Sequence, residues 1–265
     1  MTTILVTGAT DGLGRALAAR LAGDGATVLA HARSEERGRE ALADLLDGSG
    51  DVRLVTGDLA SLAEVRALAD QVPDRLDVLV NNAGIGSSWP GDGARLESAD
   101  GYELRFAVNY LAGFLLTALL RDRLVAAAPA RVVNVASAGQ MAIDFDDVML
   151  EDGYDGVRAY CQSKLAQIMH AFDLAEELRD DGVTATALHP ATYMPTKIVL
   201  HAGVTPATSL EQGLEATWRL VADASLQGVT GAYFNGTHEA RADAQAHDAE
   251  DRRRLRELSE RLTGL

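Results

Sequence analysis

Short runs of apolar and β-branched residues alternate along the chain with longer segments in which apolar residues recur every three or four positions. The first run, Ile4 to Thr7, precedes a segment with apolar residues at Leu17, Leu21 and Ala22, a pattern typical of a strand followed by an amphipathic helix. Further strands are predicted at 27–32, 52–56, 77–80, 131–135, 184–188 and 231–234. This alternation predicts a doubly wound α/β fold with a mostly parallel sheet of about seven strands.

No linker, repeat or charge block divides the 265 residues, so we predict a single domain over 1–265. The stretch 193–210 has few periodic apolar positions and is interpreted as a lid over a binding site. A charged helix is predicted at 248–262, with Arg252 to Arg254 facing solvent.

Charge and cysteine content limit the possible partners. The chain carries 39 acidic and 24 basic residues, a net charge of -15, which argues against nucleic acid or an anionic membrane as a partner. The lone cysteine, Cys161, excludes a disulfide framework and suggests no metal cluster. The longest apolar run, Leu111 to Leu120, is shorter than the ~20 residues that a membrane span needs. We therefore expect a cytoplasmic protein without a metal.

A glycine-rich turn follows the first predicted strand. Gly8, Gly12 and Gly14 have the spacing Gly-x-x-x-Gly-x-Gly at the head of a βαβ unit. Glycines allow a tight turn and let backbone amides approach a pyrophosphate at a helix N-terminus. An ordinary loop is the alternative, but the position favours a Rossmann-type dinucleotide site. The residues expected to bind the cofactor here are Gly8, Thr10, Asp11, Gly12, Leu13 and Gly14.

Arg33 lies at the end of the second predicted strand. An acidic residue at this place would bind the ribose 2'-hydroxyl of NAD, whereas an arginine accommodates the 2'-phosphate of NADP. We therefore predict NADP(H) as the cofactor. Arg33 could instead simply face solvent, and Asp11 in the glycine turn would repel a phosphate. His31 is interpreted as a side chain that only packs at the strand end.

Polar residues also follow the third and fourth predicted strands, at the edge where open α/β sheets bind ligands. Asp58 is expected either to accept a hydrogen bond from the adenine amino group or to cap the helix that follows Ser61. The sequence Asn81-Asn82-Ala83-Gly84 could steady the central sheet or touch a ribose. The residues assigned to the cofactor from these two segments are Asp58, Leu59, Asn82, Ala83 and Gly84.

Tyr160 and Lys164 place a phenol and an ammonium one helical turn apart. A free tyrosine titrates near ~10, so it needs a nearby positive charge to exchange protons at neutral pH. The pair alone is weak evidence, because this spacing is common on solvated helices. Asn109 lies among apolar residues, which indicates either a structurally hydrogen-bonded amide or a water-holding role. Ser137 follows the fifth predicted strand and could donate to a substrate oxygen.

Taken in order, these motifs resemble those of the short-chain dehydrogenase/reductase family over nearly the whole chain. The segments 106–117, 143–147 and 159–166 resemble its retinol-dehydrogenase-like branch more narrowly. The resemblance implies that Asn109, Ser137, Tyr160 and Lys164 form a catalytic tetrad. Tyr160 would then exchange the proton of the substrate oxygen, Ser137 would orient that oxygen, and Asn109 would hold a proton-relay water.

The same resemblance implies further cofactor contacts. Lys164 and Tyr160 would lie at the nicotinamide ribose, and Pro190 and Thr192 near the carboxamide. The chain has Ala191 where the family has glycine, and Thr196 is an alternative to Thr192 for the carboxamide contact. In the stretch that follows, Tyr193 and Met194 are assigned either to the substrate pocket or to the core.

The predicted function is therefore NADP(H)-dependent interconversion of a small carbonyl compound and an alcohol. A homo-oligomer, dimer or tetramer, is expected, because Leu111 to Leu120 and the Tyr160 helix are apolar beyond what one core face needs. Animal members of the branch are often membrane-anchored, and retinoid specificity is not carried over. The alternatives are nucleotide-sugar epimerase or dehydratase chemistry on the same fold, and a non-catalytic NADP-binding sensor.

Overall fold

The computed structural model describes residues 2–48 and 50–265. A mostly parallel sheet forms the centre of the fold. Its strands lie in the order β3-β2-β1-β4-β5-β6-β7-β8, and only the β7–β8 pairing is antiparallel. This arrangement confirms the doubly wound α/β fold. The strands are β1 Thr3–Val6, β2 Thr27–Ala32, β3 Asp51–Thr56, β4 Val78–Asn81, β5 Ala130–Val135, β6 Val183–His189, β7 Ala232–Asn235 and β8 His238–Ala240.

Helices connect the parallel strands and cover both faces of the sheet. Each crossover returns the chain to the same edge, as parallel pairing requires. The α-helices are α1 Gly12–Gly23, α2 Glu35–Leu46, α3 Leu62–Asp70, α4 Ala112–Leu119, α5 Arg121–Ala127, α6 Gly156–Glu177, α7 Lys197–His201, α8 Leu210–Ala222 and α9 Ala249–Thr263.

Alternate residues of the central strands face opposite layers of the core. In β1, Ile4 and Val6 belong to the apolar cluster beneath α1, α2 and α8, whereas Leu5 belongs to the cluster on the other face. Leu5 pairs in register with Leu29 on one side and with Leu79 on the other. Because both faces are covered, these strands are continuous apolar runs in the sequence.

The strand order reverses between β1 and β4. From β1 the chain first builds outward through β2 and β3, then returns to place β4 on the other side of β1. The connections that leave β1 and β4 therefore diverge and open a crevice at the carboxyl edge of the sheet, where ligands of this fold class bind. The glycine turn after β1 and the Asn82 segment after β4 lie at this crevice.

Two local features differ from the sequence-based expectation. The short strand β8 was not predicted, because its three residues show no apolar run. The helix that carries Asn109 begins as a π-helical turn, Phe106–Leu111, before it continues as α4. π-Helical turns are rare and are often found at functional sites.

The C-terminal helix α9 packs across α6 and the π-helical turn. The hydroxyl groups of Tyr110 and Ser259 are 2.7 Å apart, and Arg256 is 3.1 Å from Asp173. Arg252 is only 7% exposed and lies 2.6 Å from Glu176, so the prediction that it faces solvent is wrong. α9 thus covers part of the face that the α6 helix would otherwise expose.

The apolar run 111–120 contributes mainly to the chain's own core. Leu111, Leu115, Leu116 and Leu120 are fully buried by other elements of the same chain. Their burial removes the reason for which association was predicted from this run. Among the residues described, no helix combines the length and apolar character needed to cross a membrane.

Candidate active site

Tyr160 and Lys164 lie on the first turns of α6, which begins at the N-cap Asp155. The Asp155 carboxylate accepts a hydrogen bond from the Arg158 amide at 2.8 Å and so fixes the start of the helix. Lys164 Nζ lies 5.8 Å from the centre of the Tyr160 ring. The ammonium is buried, and burial lowers the pKa of Lys164 to about 7. The predicted phenol and ammonium are therefore neighbours in a partly enclosed site.

Ser137 follows β5 and faces Tyr160. Its Oγ accepts a hydrogen bond from the Gly139 amide at 3.0 Å, which leaves the hydroxyl hydrogen available for donation. Burial raises the pKa of Tyr160, and the hydrogen bond with Ser137 offsets part of this rise. The structure thus brings together a hydroxyl and a phenol at the end of a central strand.

Tyr233 supports Ser137 from β7. Its hydroxyl donates a hydrogen bond to the Ser137 carbonyl oxygen at 3.0 Å, and the side chain is buried. Burial raises the pKa of Tyr233 to about 12, so this phenol remains a donor. Sequence reasoning assigned Tyr233 only to a strand, because the contact spans 96 residues and has no local signal.

The side chain of Asn109 is engaged by protein groups. Its Oδ1 accepts from the Ile85 amide at 2.7 Å, and its Nδ2 donates to Ile85 O at 3.2 Å and Ser163 Oγ at 2.9 Å. Ser163 in turn donates to the Tyr160 carbonyl oxygen at 2.7 Å. The amide therefore ties the segment after β4 to α6, in line with the structural alternative weighed from the sequence.

The glycine turn is packed too tightly for larger residues. Gly8 has φ +66°, and an added side-chain carbon would lie 2.8 Å from Ala83 Cα. The same addition at Gly14 would collide with the Gly8 carbonyl oxygen. Thr7 Oγ1 accepts from the amides of Asn82 at 2.9 Å and Ala83 at 3.0 Å, which joins the turns after β1 and β4.

Gly84 lies beside the side chains of Asn109 and Lys164. A carbon added to Gly84 would lie 3.3 Å from Lys164 Nζ and 3.2 Å from Asn109 Oδ1. Asn82 Nδ2 meanwhile donates to Thr7 O at 2.8 Å, so its amide steadies the junction. The residues after β4 therefore lie between the glycine turn and Lys164.

His31 stabilises the glycine turn through hydrogen bonds of both its ring nitrogens. Its Nδ1 is 3.0 Å from the Gly8 amide, and its Nε2 is 2.8 Å from the Gly57 carbonyl oxygen. Since the amide must donate, Nδ1 accepts and Nε2 carries the hydrogen. Burial lowers the pKa of His31, which favours this neutral form. This role has no local signal in the sequence, because both bonds depend on strand register.

Asp11 is paired across the crevice with Lys197 of α7. Its carboxylate caps α1 through the Gly12 amide at 2.8 Å and lies 2.8 Å from Lys197 Nζ. Partial burial raises the pKa of Asp11, but the bonds from Lys197 and Gly12 and the charge of Arg37 hold it below its usual value. The negative charge that argued against a phosphate is thus balanced by two cations.

The segment 193–210 contacts the rest of the crevice at further points. The Thr196 side chain lies against Gly12, and Ile198 against Gly86. The rings of His201 and Trp89 are stacked with centroids 5.5 Å apart. Helix α7 therefore bridges the glycine turn and the 85–93 segment.

The remaining predicted cofactor residues follow β2 and β3 or lie in the first turn of α1. Arg33 is exposed at the end of β2. Asp58 Oδ1 accepts from the Ala60 amide at 2.9 Å, so the carboxylate stabilises the turn before α3, while Ser61 caps that helix. Leu13 and Leu59 are buried, and Leu59 lines a small cavity together with Thr7 and Ala83.

The two candidate threonines of the segment after β6 make different contacts. Thr192 Oγ1 lies 3.1 Å from His189 Nε2, next to Pro190, whereas Thr196 lies at the glycine turn. Met194 is buried against Gly213, which is the core position weighed for it, and Tyr193 is exposed with φ +50°. The two threonines thus lie at different places in the crevice region.

These residues fit a dinucleotide. The glycines keep the turn before α1 compact, as a close backbone approach to a pyrophosphate requires, and Gly84 keeps the space beside Lys164 open. Across residues 2–48 and 50–265, no group of three His, Cys, Asp or Glu side chains is arranged to hold a metal ion.

A family model and several known proteins are similar to this chain over most of its length. The family model described as short chain dehydrogenase matches residues 2–205. Retinol dehydrogenase 13 of Mus musculus is 36% identical, with 99% of this chain and 84% of the relative covered. Retinol dehydrogenase 14 of Homo sapiens is 35% identical, with coverages of 99% and 86%.

Solved structures share the fold over most of the chain. A protein of uncharacterized function from Mycobacterium paratuberculosis superposes with a TM-score of 0.82 at 29% identity, covering 100% of this chain and 94% of that one. A putative NAD(P)-dependent gluconate 5-dehydrogenase from Beutenbergia cavernae, solved with bound NADP, superposes with a TM-score of 0.68 at 29% identity, with coverages of 88% and 94%.

Proposed function

The chain belongs to the short-chain dehydrogenase/reductase family, in its retinol-dehydrogenase-like branch, and from this premise we propose that it reduces a ketone or aldehyde with NADPH, or catalyses the reverse oxidation, with Tyr160 as the general acid or base. Members of the family are oxidoreductases of alcohols and carbonyl compounds that use NAD(P)(H). The choice of NADP(H) and the residue roles are the proposal.

One observation carries the proposal. Tyr160, Ser137 and Lys164 come from α6 and the end of β5, and they meet beside Gly84 at the carboxyl edge of the sheet. A proton donor, an orienting hydroxyl and a cation thus adjoin the crevice that fits a dinucleotide. This is the arrangement that hydride transfer to a carbonyl carbon requires.

The residues have distinct tasks in reduction. Ser137 donates to the carbonyl oxygen and orients it, and Tyr160 transfers its proton to that oxygen as negative charge develops. Lys164 stabilises the phenolate that remains, because its ammonium lies 5.8 Å from the ring centre. The nicotinamide, when bound, supplies the hydride. In oxidation the same groups act in the reverse order.

The preference for NADP(H) rests on Arg33. It lies exposed at the end of β2, where a guanidinium can form paired hydrogen bonds with a 2'-phosphate. Lys197 and Arg37 balance the nearby charge of Asp11, which removes the main objection to a phosphate.

We assign the lid to residues 193–210. The stem of this segment is closed by the Ala207 amide, which donates to Tyr193 O at 3.0 Å, and by Thr208 Oγ1, which donates to Thr192 O at 2.7 Å. Between these bonds α7 reaches the glycine turn through Lys197. This geometry supports a role in enclosing the cofactor and one side of the substrate.

The homo-oligomer remains a proposal that rests on the family. The apolar run 111–120 is buried within the chain, and α9 covers part of α6. Sedimentation velocity of the purified protein distinguishes a dimer or tetramer from a monomer.

A carbonyl panel tests the proposed function. Purified protein is incubated with NADPH or NADH and with ketones, aldehydes or nucleotide sugars, and the loss of reduced-cofactor absorbance is followed. We expect NADPH oxidation with at least one simple carbonyl compound. Conversion of a nucleotide sugar without net cofactor oxidation would support the epimerase alternative, and cofactor binding without any turnover would support the sensor.

Replacing His31 is expected to weaken cofactor binding. In His31→Leu the Gly8 amide and the Gly57 carbonyl lose their partners, so the glycine turn is held less firmly. The dissociation constant for NADPH, measured by fluorescence titration, should rise by about 5- to 30-fold, as expected for one or two lost hydrogen bonds. At saturating NADPH, kcat should change by less than about threefold.

His238→Leu is the matched control, because His238 is an exposed histidine on the edge strand β8. It should bind NADPH as the wild type does. A His31→Leu protein with unchanged affinity for NADPH would show that the turn needs no brace from this ring.

A further inference from the structure

The buried ammonium of Lys164 is held by neutral groups. Nζ donates to the Val135 carbonyl oxygen at 3.0 Å and to Gln167 Oε1 at 2.8 Å. Throughout the described part of the chain, no carboxylate forms an ion pair with Lys164. An ammonium that is shielded from water depends on such acceptors to stay charged.

Gln167 is itself fixed in place. It is one turn along α6 from Lys164 and only 3% exposed. Its backbone carbonyl accepts from Asn134 Nδ2 at 2.9 Å, and Asn134 Oδ1 accepts from Asn81 Nδ2 at 2.9 Å. A line of amides thus runs from the centre of the sheet to the Gln167 backbone and anchors this turn of α6. Burial of the Gln167 side chain leaves its oxygen little room to turn away from Lys164.

We propose that Gln167 is a positioning residue that keeps Lys164 protonated and directed at Tyr160 during the reaction. The inference deepens the proposed function and depends on it. Gln167 acts through Lys164, because the hydrogen bond of its side-chain oxygen is made with the Lys164 ammonium.

The consequence for catalysis follows from the charge that Lys164 must carry. Reduction leaves a phenolate on Tyr160, and only a protonated Lys164 stabilises it. Since burial already lowers the pKa of Lys164 to about 7, the lysine titrates within the working range. Loss of the Gln167 acceptor disfavours the ammonium, so the pKa of Lys164 falls further and reductase activity is lost at a lower pH.

Other titratable groups face the same space. Tyr160 lies on the same helix, and His189 approaches from β6, where burial and the Lys164 charge lower the pKa of His189. Cys161 follows Tyr160, and burial raises its pKa. Gln167 bonds directly only to Lys164 among these four groups, so its replacement should move the alkaline limb of the profile and leave the acid side in place.

Gln167→Met tests the inference, because methionine is similar in length but offers no strong acceptor. The pH dependence of kcat for NADPH-driven reduction is measured with the best carbonyl compound of the panel. We expect the alkaline midpoint to move down by about one pH unit, as loss of a hydrogen bond to a charged group implies. Well below the wild-type midpoint the two rates should agree within about twofold, because Lys164 is then protonated in both proteins.

Gln162→Met is the matched control on the same helix. Gln162 is also buried, but its Nε2 donates to the Ala142 carbonyl oxygen at 2.7 Å, away from Lys164. The midpoint should stay at the wild-type pH. Gln167→Asn keeps an amide on a shorter side chain, so it should shift the midpoint in the same direction by less, and it carries the test if Gln167→Met does not fold.

The two proposals fail in different ways. Folded Gln167 variants whose midpoint equals that of the wild type, alongside an inactive Tyr160→Phe, would overturn the role of Gln167 alone. A uniform loss of rate at every pH would also overturn it, since that indicates only a structural defect. A fully active Tyr160→Phe would overturn the proposed function.

Discussion

Tyr160→Phe is expected to lower kcat for carbonyl reduction by about 10³-fold, the range measured when a general acid is removed. The change deletes the hydroxyl and keeps the ring that packs on α6 beside Ser137 and Lys164. The carbonyl oxygen then receives no proton as hydride arrives. Affinity for NADPH should change by less than about threefold, because one of several cofactor contacts is lost. Steady-state kinetics and a fluorescence titration measure the two effects separately.

Tyr102→Phe provides the comparison for this result. Its hydroxyl also makes a hydrogen bond, as a donor to the Leu262 carbonyl oxygen at 2.9 Å, but this bond is partly buried and lies at the C-terminal helix. It should retain wild-type kcat with at most a small loss of stability. If Tyr160→Phe were as active as Tyr102→Phe, the proton would have to come from another group.

Arg33→Asp should reverse the cofactor preference. The guanidinium is replaced by a carboxylate, which repels a 2'-phosphate and can accept a hydrogen bond from a 2'-hydroxyl. Hydrogen bonds to a charged group are worth ~1.5–3 kcal/mol, so kcat/KM with NADPH should fall by about 10- to 100-fold. The value with NADH should rise or stay the same.

Arg39→Asp is the control for charge reversal on the same side of the molecule. Arg39 is exposed on α2 and paired with Glu35 at 2.8 Å, so it has a local partner rather than a place at the crevice. The ratio of the two kcat/KM values should remain that of the wild type. An unchanged ratio in Arg33→Asp as well would mean that this side chain simply faces solvent.

Most of the sheet is predictable from sequence because its strands are buried on both faces. A continuous apolar run, such as the one that contains Val132 and Val133 in β5, predicts a central strand from the local sequence alone. The glycine turn is equally visible, since Gly8 and Gly14 have no room for a side chain. The edge strand β8 has neither signal, and only its pairing with β7 defines it.

The candidate site, like the sheet, contains residues that the sequence predicts and residues that it does not. Tyr160 and Lys164 are recognisable because helical spacing alone places them together. His31 and Gln167 are not, since their importance comes from a carbonyl, an amide and an ammonium that the fold brings into reach. For Arg252 the local pattern is misleading. The basic run 252–254 predicts a solvent-exposed helix face, but the packing of α9 buries Arg252.

The central claim is that hydride passes between the nicotinamide and a carbonyl carbon while Tyr160 supplies the proton. NADPH deuterated at nicotinamide C4, in each of its two stereochemical forms, is incubated with the wild type and the best carbonyl substrate, and the alcohol is analysed by mass spectrometry. We predict deuterium on the carbinol carbon from one of the two forms, and almost none formed by Tyr160→Phe in the same time. Alcohol that carries no deuterium from either form would contradict the account.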